Sequence, residues 1–173
     1  ARAGFAVREV ELPIALGDLQ LTRECINDYE RAHAMAHEWQ TASEQISERL
    51  SQNIRSGFAT PRDRYVDALA RVQACRDMLP EVFADVDVLL APTVQGEAPT
   101  GLAYTGDHRF QSIWTQLRTP AVTLPTHVGP NGMPVGIQLV ALPWRDDALL
   151  AVARLVFETL GMPVARAPAA VAS

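Results

Sequence analysis

The sequence predicts an α/β fold, a mixed sheet of about four strands flanked by about five helices. Three observations predict it. Two apolar runs, residues 121–124 and 135–142, are separated by Gly129-Pro130-Asn131-Gly132, turn chemistry in which glycine and asparagine accept positive φ with little strain. So short a link makes the two strands antiparallel, because a parallel return takes about a dozen residues or more. A third run, residues 86–91, is almost wholly apolar. That is the pattern of a strand covered on both faces, and it predicts a central place in the sheet. Elsewhere apolar residues recur at the three-to-four spacing of amphipathic helices.

Taken in order, Phe5, Val7, Val10 and Leu12 alternate imperfectly with Arg8, Glu9 and Glu11, which predicts a short strand over 5–12 ended by Pro13. Asp18 is placed to cap a helix with Leu21, Cys25, Tyr29, Ala32, Ala36 and Trp39 on its inner face. A second helix over 43–56 presents Ile46, Leu50 and Ile54, with Gly57 as its stop. Thr60-Pro61-Arg62-Asp63 combines a capping residue, a first-turn proline and an acid at the positive helix end. The helix it starts buries Tyr65, Leu69, Val72, Cys75, Leu79 and Val82 and ends near Asp85.

After the run at 86–91, Pro92 stops the strand, and residues 93–105 form a loop containing Gly96, Pro99 and Gly101. Asp107 is placed to cap a helix reaching Leu117. In the hairpin, Ile137 and Leu139 point to one face and Gln138 and Val140 to the other, so both faces of the sheet should be mostly covered. Asp146 and Asp147 start the last helix, whose inner side carries Leu149, Leu150, Ala153, Val156, Phe157 and Leu160. Gly161 and Pro163 stop it. Residues 162–173 are rich in alanine and proline and predict a loose tail. There are no internal repeats.

Composition narrows the function. With 173 residues, 48% apolar and 20% charged, the chain has the make-up of an ordinary globular protein. A net charge of −5 argues against an extended nucleic-acid surface. No apolar run approaches a membrane span and no leader opens the chain, so a cytoplasmic protein without a membrane partner is expected. Cys25 and Cys75 sit on apolar helix faces and read as buried thiols, a core of this size having no need of a disulfide. All 15 basic residues are arginine, so no side chain here can serve as a neutral amine base.

Candidate chemistry is sparse. His33 and His37 lie one helical turn apart beside Glu30, but the Ala-Met-Ala between them lacks the adjacent glutamate of a zinc-protease motif; they read as a polar helix edge, and no metal is expected. Asp85 with Asp87, and Asp146 with Asp147, could act as acid–base pairs, yet the first pair lies at a helix–strand junction and the second complements a helix N-terminus. Ser112, His108 and Asp107 assemble a triad only on paper, because no glycine-flanked elbow surrounds the serine. His108, Phe110 and Trp114 are close together on one helix. They form either part of a pocket wall or an aromatic core stripe, and the spacing leaves both open.

The segment Trp114-Thr115 followed by Pro120-Ala121-Val122-Thr123-Leu124-Pro125 is one of several familiar anchors. Others are Gly129 with Gly132-Met133-Pro134-Val135-Gly136-Ile137-Gln138-Leu139-Val140, then an acid-capped helix, preceded by Asp87-Val88-Leu89-Leu90-Ala91-Pro92-Thr93 and Ala98-Pro99. Together they resemble the C-terminal end of amidase-signature enzymes, clearly over residues 86–161 and more loosely before. Arg118 departs from the pattern, standing where the family usually has a small residue, often glycine. His127 stands near a usual Gly or Cys-Gly.

The resemblance implies that residues 1–161 are the C-terminal part of an amidase-signature domain. It implies hydrolysis of non-peptide C–N amide bonds by a Ser-Ser-Lys mechanism without a cofactor, and a substrate-contact role for the helix bearing His108, Phe110 and Trp114. Ser43, Ser47, Ser51, Ser56, Ser112 and Ser173 all lie outside any Gly/Ser-rich loop, and there is no lysine, so no catalytic residue carries over. The expected partner is a small amide substrate once the chain is joined to the missing N-terminal half; alone, an exposed sheet edge should drive homodimerisation. The competing reading is a non-catalytic interaction or structural domain derived from the same fold.

Overall fold

The computed structural model describes residues 4–161; the Ala/Pro-rich tail at 162–173 lies outside them. The described chain divides into two compact units, Pro13–Met78 and the remainder.

Pro13–Met78 is helical. It comprises α1 (Ile14–Gly17), α2 (Leu19–Ala34), α3 (Ala36–Thr41), a 3-10 turn at Ser43–Gln45, α4 (Glu48–Ala59) and α5 (Arg62–Asp77). The single helix expected to run from Leu21 to Trp39 is divided at Met35, whose φ of −100° and ψ of 19° break the helical path. Asp18 makes no side-chain cap hydrogen bond, because it already ends α1 in a helical conformation.

Helix α2 packs on α4 and α5, burying Leu19, Ala32, Ile54, Ala68, Val72 and Cys75. Gly57 does not stop α4; it lies inside the helix, buried. A Cβ there would overlap the Asp28 carbonyl and come within 2.6 Å of the Ala32 Cβ, so glycine is what lets α4 approach α2. The cap of α5 is Pro61 rather than Thr60, whose hydroxyl instead donates to the Ser56 carbonyl at 2.9 Å. Within α5 the buried face is Ala68, Val72 and Cys75, while Leu69, expected inside, is exposed. Cys75 is buried as expected; Cys25 is half-buried, and both are free thiols.

The second unit contains α6 (Leu79–Val82), β1 (Leu89–Pro92), α7 (Arg109–Leu117), β2 (Ala121–Val128), β3 (Pro134–Val140) and α8 (Asp146–Leu160). The five helices of nine residues or more, α2, α4, α5, α7 and α8, match the number expected. The sheet differs from expectation. It has three strands in the order β1-β3-β2, and both pairings are antiparallel rather than mixed. Residues 5–12 form no strand; alternation alone does not make a strand where no ladder is offered, and within this stretch Arg8 forms an exposed ion pair with Asp85 at 3.1 Å.

The centre of the sheet is β3, not the run at 86–91. Only its second half is strand, and there Leu89 is buried while Leu90 is 61% exposed. Residues 86–88 lead into the strand instead, so the continuous apolar run reflected a helix–strand junction followed by an edge.

The hairpin is as predicted, with Ala121 opposite Val140 and Leu124 opposite Ile137. A bulge between Pro125 and His127 leaves Thr126 outside the register, and its hydroxyl donates to the Val135 carbonyl at 3.1 Å. Pro125 is tolerated because β2 is an edge strand. On one face of β3, Leu139 joins Leu124, Ala141, Leu149 and Ala153 in a core completed by Ile137 and Val156; this seats α8. On the other, Gln138 reaches α7. Both faces are therefore covered.

Candidate functional site

The helix singled out for substrate contact, α7, is held at both ends and from below. At its start, the Asp107 carboxylate accepts the Arg109 N–H at 2.8 Å and the Arg109 side chain at 2.7 Å. The guanidinium of Arg109, together with that backbone bond, holds the Asp107 carboxyl below its ordinary value. At its end, Thr119 N–H donates to the Trp114 carbonyl and Arg118 N–H to the Thr115 carbonyl, at 3.1 and 3.2 Å. This pair of bonds is a Schellman cap, and it puts Arg118 at φ 54°, ψ 37°. Arg118 therefore occupies a left-handed position, a conformation that glycine adopts with least strain.

From below, Gln138 is 2% exposed. Its Nε2 donates to the Pro92 carbonyl at 3.0 Å and to the Phe110 carbonyl at 2.6 Å. One amide thus ties the end of β1, the middle of β3 and the first turn of α7 together. Sequence reading placed Gln138 on a covered face without giving it a role; an amide inside an apolar strand was the available signal, since a buried polar group must find partners.

The three pocket candidates fall in different surroundings. His108 is the exposed N-cap of α7, Phe110 is half-buried, and Trp114 is 4% exposed. Trp114 is a core residue here. A cavity of about 300 Å³ opens elsewhere in this unit, lined by Phe83, Asp85, Asp87, Leu142 and Arg145 among others, and it includes none of the three.

The paper triad is spent on structure. Asp107 is engaged with Arg109, and the buried Ser112 hydroxyl donates back to the Arg109 carbonyl at 3.3 Å. Asp85 pairs with Arg8, and Asp146 and Asp147 lie in the first turn of α8. His33 Nδ1 lies 2.8 Å from the Tyr29 carbonyl and its ring stacks on Tyr29 at 4.2 Å. Among the described residues no cluster of three His, Cys, Asp or Glu side chains is arranged to hold a metal, and no helix is long and apolar enough to cross a membrane.

Helices packed on a small antiparallel sheet, with an αL-capped helix pinned to the central strand by a buried amide, make this an α/β unit. The family model described as Amidase matches residues 13–150, and the chain belongs to the amidase family. It is 31% identical over 137 residues to a fatty acid amide hydrolase of Arabidopsis thaliana, covering 70% of this chain and 22% of that protein. It is 31% identical over 139 residues to a mitochondrial glutamyl-tRNA(Gln) amidotransferase subunit of Mus musculus, covering 72% and 26%. The chain spans about a quarter of the length of these curated relatives.

Among solved structures, one described as an amidase superposes with a TM-score of 0.76 at 26% identity, covering 88% of this chain and 37% of that one. A 6-aminohexanoate cyclic dimer hydrolase gives 0.79 at 22% identity, covering 96% and 40%, a likeness of fold.

Proposed function

We propose that this chain is the C-terminal part of an amidase-signature hydrolase, supplying scaffold and pocket wall to a catalytic centre built from residues outside it. The observation that carries this reading is a mismatch. The chain belongs to the family, spans about a quarter of its relatives, and has no lysine and no serine in a Gly/Ser-rich loop. A Ser-Ser-Lys mechanism needs a hydroxyl deprotonated through a bridging serine by a desolvated neutral lysine, with backbone donors for the oxyanion. Arginine cannot substitute, since it stays protonated.

In this reading the chain's contribution is positional. Gln138 and the two caps fix α7, and Phe110 and His108 at its exposed start are offered as pocket wall for a small amide. No nucleic acid, membrane or cofactor enters the scheme, and the setting is cytoplasmic. Residues 1–161 act as one part of the larger amidase domain.

Purified chain should hydrolyse a fluorogenic aryl amide no faster than buffer, because loss of a nucleophile-and-base unit removes on the order of a million-fold in rate. Turnover that co-purifies with the chain through successive columns would refute the reading. The exposed sheet edges, β2 of the hairpin and β1 with Leu90 exposed, are the surfaces on which the isolated chain pairs as a twofold dimer, next to Leu150 and Phe157, which were expected on the inner side of α8 and are exposed. Light scattering at micromolar concentration tests this; a monomer favours the alternative of a self-sufficient interaction domain.

A further inference from the structure

Glu97 lies in the loop after β1, and its carboxylate is seated in the mouth of the β2–β3 turn. The Asn131 N–H donates to both carboxylate oxygens at 3.0 Å, the Met133 N–H to Oε1 at 2.9 Å, and the Asn131 side-chain Nδ2 to Oε2 at 2.6 Å. The turn is closed independently of Glu97. Gly129 N–H donates to the Met133 carbonyl at 2.9 Å and Gly132 N–H to the Gly129 carbonyl at 3.0 Å, with Gly132 at φ 83°.

The N–H groups of residues 131 and 133 therefore converge on one point that the turn itself does not need. Backbone N–H groups that converge from a turn in this way form an anion-binding concavity. A Cβ at Gly129 would overlap the Glu97 side chain, so the absence of a side chain there is what opens the seat. Burial pushes the Glu97 carboxyl up, but the hydrogen bonds from Met133 and Asn131 outweigh it and leave the group below its ordinary value, consistent with a seat that prefers the anion.

We infer that the hairpin turn at residues 129–133 is a carboxylate-binding site, and that Glu97 fills it from within the chain, strapping the 93–106 loop to the hairpin tip. The site's ligand class is a small carboxylate, held by neutral donors alone. The same loop carries Leu102 and Tyr104, both exposed. Release of Glu97 leaves the same seat open to a carboxylate from another molecule. This inference does not depend on the proposed function, because it concerns a contact complete within the chain.

The test is amide NMR on the full chain with sodium formate as probe and sodium chloride as control. In the wild-type chain the Asn131 and Met133 amides exchange slowly and ignore formate. In Glu97→Ala their exchange accelerates by about tenfold or more, and both titrate saturably with formate and not with chloride. Gly129→Ala fills the seat, so it accelerates exchange without formate rescue. Unchanged exchange in Glu97→Ala, or a formate response that does not saturate or is matched by chloride, overturns the proposal. Should Glu97→Ala not fold, Glu97→Gln keeps the size and sets an amide donor against the turn donors. Its two amides then exchange severalfold faster, and unchanged exchange again overturns it.

Discussion

Arg118 holds a left-handed backbone position at φ 54° that an L-residue with a Cβ adopts only against strain. Replacing it with glycine relieves that strain, partly offset by the greater freedom of glycine in the unfolded chain. Arg118→Gly should therefore stabilise the chain by about 1 kcal/mol, seen as a higher urea midpoint at constant slope. Gln138 makes the opposite case. Gln138→Leu keeps the volume but removes the donor from the Pro92 and Phe110 carbonyls, inside a site that is 2% exposed. A loss of about 2 kcal/mol is expected, with the Phe110 region of α7 exchanging amide protons faster than α8. Equal protection of the two helices in the variant would show that the amide does not position α7.

The five long helices and the hairpin were legible because each is written locally. The spacing at Leu149, Ala153 and Val156 is set by the helix that carries them, and the reversal at Asn131-Gly132 by the backbone freedom of two residues. What was not legible depended on partners distant in sequence. Whether 5–12 joins a ladder, and whether 86–91 lies at the centre or edge of a sheet, is decided by which strands come beside them. Gly57 looked like a stop because a helix-ending glycine and a close-packing glycine have the same identity; only the Asp28 carbonyl against it tells them apart. For the substrate-contact candidates the sequence located their helix but not their burial. On α7, His108 is exposed, Phe110 half-buried and Trp114 buried, and the seat for Glu97 joins residues 34 apart in sequence.

Two local devices share an acid dependence. Glu97 on the hairpin and Asp107 at the start of α7 both have carboxyls below their ordinary values. A depressed carboxyl contributes stability that is fully present above the unfolded-state value and is lost as pH falls through the lowered folded-state value. The chain should lose stability below about pH 4, and the double variant Glu97→Gln, Asp107→Asn should lose less over the same interval. Equal pH slopes in urea titrations of the two proteins would contradict this.

At the scale of the whole molecule, the proposed function joins an amidase-family fold to a catalytic centre supplied by residues other than these. The chain has the amidase scaffold over residues 13–150. Its described serines are helix residues or helix caps, and the buried Ser112 hydroxyl is turned back to its own helix. A serine reacts rapidly with an acylating or phosphonylating agent only when a base activates it. The most direct measurement is the intact mass of the purified chain after exposure to a fluorophosphonate probe for activated serine. An unmodified mass is expected under conditions that fully label an intact amidase-signature enzyme run alongside. Stoichiometric labelling at any one of the six serines would contradict it, and would place a working nucleophile inside this chain.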